Sequence, residues 1–79
     1  MIVFFQAGGL LKDYLKPDLD EYTRKIEVEP GLTVREIMER INIRPAAVSM
    51  VLIAGKRIPW SYVPKEGETI VLLPPVQGG

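Results

Sequence analysis

The chain contains neither cysteine nor histidine. The first absence removes disulfides, thiol nucleophiles and thiolate metal sites, and the second removes the side chain used most often as a general base or imidazole ligand. A surplus of charge is also missing: ten basic and ten acidic residues cancel. Without a basic excess, and with Lys and Arg scattered rather than striped, no nucleic-acid partner is expected. No apolar run approaches the roughly 20 residues of a membrane span, so no membrane partner is expected either. The opening Met1-Ile2-Val3-Phe4-Phe5 lacks the basic stretch of a signal peptide, and a cytoplasmic location follows as the expectation.

What is present fits one small domain. Its 79 residues are 47% hydrophobic, enough to fill a single core with little margin. Ile2 to Gln6 is short, branched and aromatic, and reads as a strand. A long connection follows, in which Gly8-Gly9 and Lys16-Pro17-Asp18 act as breakers. The glycine pair marks a turn, since it lacks the Gly-Lys-Ser/Thr ending of a phosphate-binding loop. Leu10, Leu11, Tyr14 and Leu15 have helical spacing and predict a short amphipathic turn before Pro17.

From Arg24 to Glu29, Ile26 and Val28 alternate with charged residues, the pattern of a half-buried strand. Thr33 followed by Glu36 forms a capping box, so a helix begins at Val34 and carries Val34, Ile37, Met38 and Ile41 on one stripe. Arg44-Pro45 bars its continuation. Ser49 to Ala54 predicts a strand, Gly55-Lys56 a tight turn, Arg57-Ile58-Pro59 a short return strand, and Thr69 to Leu73 a final strand. Trp60 reads as a partly buried cover of the core.

Three strands, around Val3, Leu52 and Val71, are apolar on both faces. One helix covers only one face of a sheet, so part of the second face is expected to meet a partner.

Catalysis by side chains has little to rest on. Asp18, Asp20 and Glu21 share a loop, and Glu66 and Glu68 flank Gly67; carboxylates in so small a domain read as solvated turn residues rather than an acid-base pair, which needs a cleft. The ending Leu73-Pro74-Pro75-Val76-Gln77-Gly78-Gly79 offers something else. The prolines stop the strand and launch a stiff spacer, and the two terminal residues carry no side chain to crowd an enzyme channel. A main-chain carboxylate on Gly79 is a poor electrophile until it is activated. Adenylyl transfer from ATP, with loss of pyrophosphate, would make an acyl-adenylate open to attack by a sulfur nucleophile.

The strand order, the segment Val51-Leu52-Ile53-Ala54-Gly55-Lys56-Arg57-Ile58-Pro59, the turn Lys65-Glu66-Gly67-Glu68-Thr69 and the ending just quoted resemble the MoaD/ThiS family of β-grasp, ubiquitin-like sulfur carriers. The resemblance implies an α+β fold, a mixed sheet of four to five strands packed on one main helix, with a β-grasp domain over 1–73 and a flexible tail over 74–79. It makes Gly79 the residue that is adenylated by an E1-like enzyme, converted to a thiocarboxylate and used to donate sulfur, with Gly78 giving the tail access. ATP is consumed by the activating enzyme, and no permanently bound cofactor or metal is expected. The Pro-Pro-Val spacer resembles the small subunit of molybdopterin synthase, whose partner is a large catalytic subunit that makes the molybdenum or tungsten cofactor's dithiolene. Carriers for thiamine thiazole, cysteine or tRNA thiolation share the same ending, and so do ubiquitin-like modifiers, which form an amide instead. A β-grasp interaction domain with an inert tail is the third alternative.

Overall fold

The computed structural model describes residues 1–75. Its elements run β1 (Ile2–Gln6), α1 (Gly9–Leu15), β2 (Thr23–Glu27), α2 (Val34–Arg40), a 3-10 turn (Pro45–Ala47), β3 (Met50–Ile53), β4 (Lys56–Ile58) and β5 (Thr69–Leu73). The strands form one mixed sheet in the order β2-β1-β5-β3-β4. Pairing is antiparallel everywhere except between β1 and β5, which run parallel at the centre. The last strand therefore lies between the first and the third.

The sheet's inner face carries Val3, Phe5, Ile26, Val51, Ile70 and Leu72, all buried against α2 and α1. Strand alternation sends every second residue there. Helix α2 begins where the capping box predicts. The Glu36 N–H donates to Thr33 Oγ1 at 3.1 Å, and the Thr33 N–H donates to Glu36 Oε1 at 2.9 Å. The next orphan donors are also met: the Val34 and Arg35 N–H groups reach the carbonyls of Tyr62 and Trp60 at 2.9 and 3.1 Å. Trp60 is half-buried against the core, as expected of a cover.

Helix α2 stops earlier than Pro45 requires. Asn42 takes a left-handed φ of 61°, its N–H donates to the Glu39 carbonyl, and the Ile43 N–H donates back to Met38. This is a Schellman ending, and Ile43, 2% exposed, supplies its apolar contact.

The short amphipathic turn expected before Pro17 is a helix in its own right. Among the described residues there are two helices of seven residues each, and α1 is as long as α2. Lys16, at φ 57°, ends α1 with its N–H on the Lys12 carbonyl, and Pro17 follows. Only half of the expected stripe is buried: Leu11 and Leu15 are in the core, while Leu10 and Tyr14 are 80% and 62% exposed. At about 100° per residue, Leu11 and Leu15 form one ridge and Leu10 and Tyr14 another about 100° away, so a single contact reaches only one of them.

The β3–β4 turn is also displaced by one residue from the expectation. Ile53 pairs with Lys56, leaving Ala54 and Gly55 as the two-residue loop, with φ of 51° and 78°. Two positive φ values define the turn whose twist matches a hairpin. Lys56 consequently belongs to the strand.

Candidate functional site

Gly78 and Gly79 lie outside the described residues, and the site is approached from the root of the tail. That root is the end of β5. The Ser49 N–H donates to the Leu73 carbonyl at 2.8 Å, the last rung between β3 and β5. The Ser49 hydroxyl lies 3.2 Å from the same carbonyl and 3.0 Å from the carbonyl of Pro74. Pro74 and Pro75 are exposed and have no N–H to offer the ladder. Sequence reasoning did not single out Ser49, since a serine before a strand has no distinctive local signal.

Two clefts flank the root. One, of about 680 Å³, is lined by Gln6 to Gly9, by the loop Asp20 to Thr23, and by Val71 to Pro74. The other, of about 500 Å³, lies between α1 and the 3-10 turn, with Leu10, Tyr14, Ala46 and Ala47 beside Pro74 and Pro75.

The sheet's outer face carries Phe4, Val71, Leu52, Met50 and Leu73, each half-buried. The register makes them neighbours, since Val71 stands opposite both Gln6 and Leu52, and Met50 opposite Leu73. Basic residues border the patch on both sides, Lys25 opposite Phe4 and Arg57 opposite Leu52. The patch thus runs from the middle of the sheet to the tail.

The acidic residues have structural work. Asp18 Oδ1 accepts from the Lys25 N–H at 2.9 Å, and Asp20 Oδ1 accepts from the Tyr22 N–H at 2.8 Å. That bond from Tyr22, aided by the Thr23 hydroxyl, holds the Asp20 carboxyl below its ordinary value. Glu66 accepts from the Ile2 N–H, and Glu68 accepts from the Lys65 N–H and the Tyr62 hydroxyl. The bond to Glu68 raises the Tyr62 phenol. Among the described residues no cluster of acids could hold a metal ion, and no helix is long and apolar enough to cross a membrane. What the arrangement offers chemically is an anchored, outward-running main chain beside an apolar sheet face.

A protein-family model described as the ThiS family matches residues 17–79. Among solved structures, the crystal structure of SAMP1 from Haloferax volcanii superimposes with a TM-score of 0.73 at 19% identity, covering 100% of both chains. The putative molybdopterin converting factor, subunit 1, from Pyrococcus furiosus gives a TM-score of 0.73 at 19% identity, covering 95% of this chain and 98% of that one. At such identities the likeness is one of fold, the ubiquitin-like β-grasp. No curated protein sequence matches the chain significantly.

Proposed function

The chain belongs to the ThiS family, and on that premise we propose that it is a sulfur carrier whose working group is the main-chain carboxylate of Gly79. The observation that carries the proposal is the family match running through residue 79, together with a tail that leaves from the central strand. In the proposed sequence a carboxylate oxygen of Gly79 attacks the α-phosphorus of ATP on an E1-like enzyme, and pyrophosphate leaves. Hydrosulfide attacking the acyl-adenylate carbonyl would expel AMP and leave a thiocarboxylate directly. A persulfide donor would leave an acyl disulfide, whose S–S bond a second thiol must cleave to give the thiocarboxylate and a donor disulfide. Gly78 lets the main chain pass through a channel too narrow for a Cβ.

The carrier supplies no acid, base or metal to these steps; its contribution is docking and positioning. The outer sheet face is the proposed docking surface for the E1-like enzyme. An apolar partner surface bearing acids that meet Lys25 and Arg57 would complement it. For the sulfur acceptor, the likeness to a molybdopterin converting factor subunit favours a large synthase subunit in molybdenum or tungsten cofactor assembly.

The test is the intact mass of untagged protein after incubation with ATP, a sulfur source and lysate of its own organism. A gain equal to exchanging one oxygen for sulfur is expected, absent when Gly79 is deleted. Larger covalent adducts at unchanged free mass would instead indicate a protein modifier. No change in the presence of an active E1-like enzyme would leave an interaction domain with an inert tail.

A further inference from the structure

The last strand ends at a point where ladder bonding becomes impossible. Beyond Leu73 the next two residues are prolines, so only their carbonyls can be gripped, and a donor must come from outside the strand. Ser49 is that donor. Its backbone N–H closes the final rung at 2.8 Å, and its hydroxyl proton is shared between the carbonyls of Leu73 and Pro74 at 3.2 and 3.0 Å. The hydroxyl extends the grip of β3 on β5 one residue past the strand's end.

Ser49 is itself well held. The preceding Val48 is buried, and its N–H donates to the Pro45 carbonyl at 3.1 Å, closing the 3-10 turn, while Met50 begins β3. The serine side chain is exposed, so in the free protein water competes for both carbonyls. An enzyme that packs against the tail root excludes that water and strengthens the bond, since hydrogen bonds gain as the local dielectric falls.

We propose that Ser49 is a positioning residue for the chemistry at the tail: its hydroxyl fixes the direction in which the main chain leaves the domain. The proposal rests on the reading of Gly79 as the reacting residue. The leverage is large. Four residues beyond Pro75 reach at most about 14 Å, so a swing of about 20° at the root moves the far end by about 5 Å. Misplacement by even about 1 Å is enough to cost a reaction heavily. Because docking is made by the sheet face, a loosened root leaves binding intact and lowers the fraction of docked complexes with the tail correctly threaded. The effect belongs in kcat rather than KM.

The experiment compares wild type, Ser49→Ala and Ser49→Thr by two readouts. The first is ¹⁵N relaxation at Leu73 and Val76 in the free protein, where Ser49→Ala is expected to lower the order parameters and Ser49→Thr to restore them. The second is steady-state adenylation by the cognate E1-like enzyme. There Ser49→Ala is expected to lower kcat about threefold to tenfold, the effect of one hydrogen bond of ordinary net strength, with KM unchanged and Ser49→Thr near wild type. Unchanged order parameters and kcat in Ser49→Ala, or a loss confined to KM, would overturn the proposal. If wild type itself is not adenylated, the reading of Gly79 fails, and relaxation decides the clamp alone: equal values at Val76 in wild type and Ser49→Ala reject it.

Discussion

At the scale of single residues, hydrogen bonds to carboxylates bear on both stability and its dependence on pH. The Glu36 carboxyl is held below its ordinary value first by the Thr33 backbone N–H and then by the Thr33 side chain. Glu29 is lowered first by its hydrogen bond from Arg40, 2.6 Å away. A carboxyl whose pKa is lower folded than unfolded stabilises the fold fully above the unfolded value, and that stabilisation is lost as the pH falls through the folded one. The domain should therefore begin to soften as the pH falls past the unfolded glutamate value of about 4.3, and go on softening below it. Thr33→Ala is expected to lower the thermal midpoint at neutral pH by about 4–8 °C, the shift of one ordinary helix cap in a domain of this size. Calorimetry at neutral pH and in acid would check this, and the gap from wild type should narrow in acid as Glu36 loses its charge. Thr33 and Glu36 were legible because a capping box is contained in four consecutive residues. Asn42-Ile43 carried a comparable signal, a residue tolerant of positive φ followed by an apolar one, but Pro45 was the more conspicuous breaker. Ser49 was not legible, because its partners Leu73 and Pro74 stand more than twenty positions away.

At the scale of elements, α1 is where spacing alone fell short. A helical pattern says which residues share a side, not which of two adjacent ridges the core accepts. Arg24 helps to settle the choice, since its guanidinium donates to the Leu15 carbonyl at 3.2 Å and ties the end of α1 to β2. The two ridges predict opposite mutational outcomes. Leu15→Ala should cost about 2–5 kcal/mol, a large part of the about 5–15 kcal/mol typical of a whole domain. Leu10→Ser should stay within about 0.5 kcal/mol, as expected of an exposed side chain. Urea titrations of both variants would separate the ridges. The β3–β4 hairpin was misplaced by one residue for a related reason. Gly55 announced a turn, but Ala54 carries no sign that it will take a positive φ; the pairing of Ile53 with Lys56 imposes it.

At the scale of the whole molecule, the sheet order β2-β1-β5-β3-β4 is the least local property: resemblance implied a mixed sheet, and only the structure supplies the order. Nothing in the alternation of Ile2 to Gln6 or Thr69 to Leu73 says that these strands lie side by side and parallel. Their two-sided apolar character reads instead as a second face meant for a partner, because helices cover only one face of the sheet. The outer patch left by that arrangement yields a prediction for association. Leu52→Arg, whose long stem can lie along the sheet with its charge in water, should leave the thermal midpoint nearly unchanged. It should weaken binding to the E1-like enzyme by about tenfold or more, the equivalent of one leucine left unburied. Isothermal titration calorimetry would measure it, and wild-type affinity in the variant would move the docking surface elsewhere.

The central parallel pair also decides how the molecule answers to force. With β1 and β5 running the same way, tension between the start of β1 and the end of β5 pulls the two strands past each other along their length. Their shared rungs bear the load together in shear, instead of opening one after another like a zip. The same strand is held on its other side by β3 and Ser49. Tension on the tail, of the kind the proposed threading would apply, therefore falls on a strand paired along both of its edges.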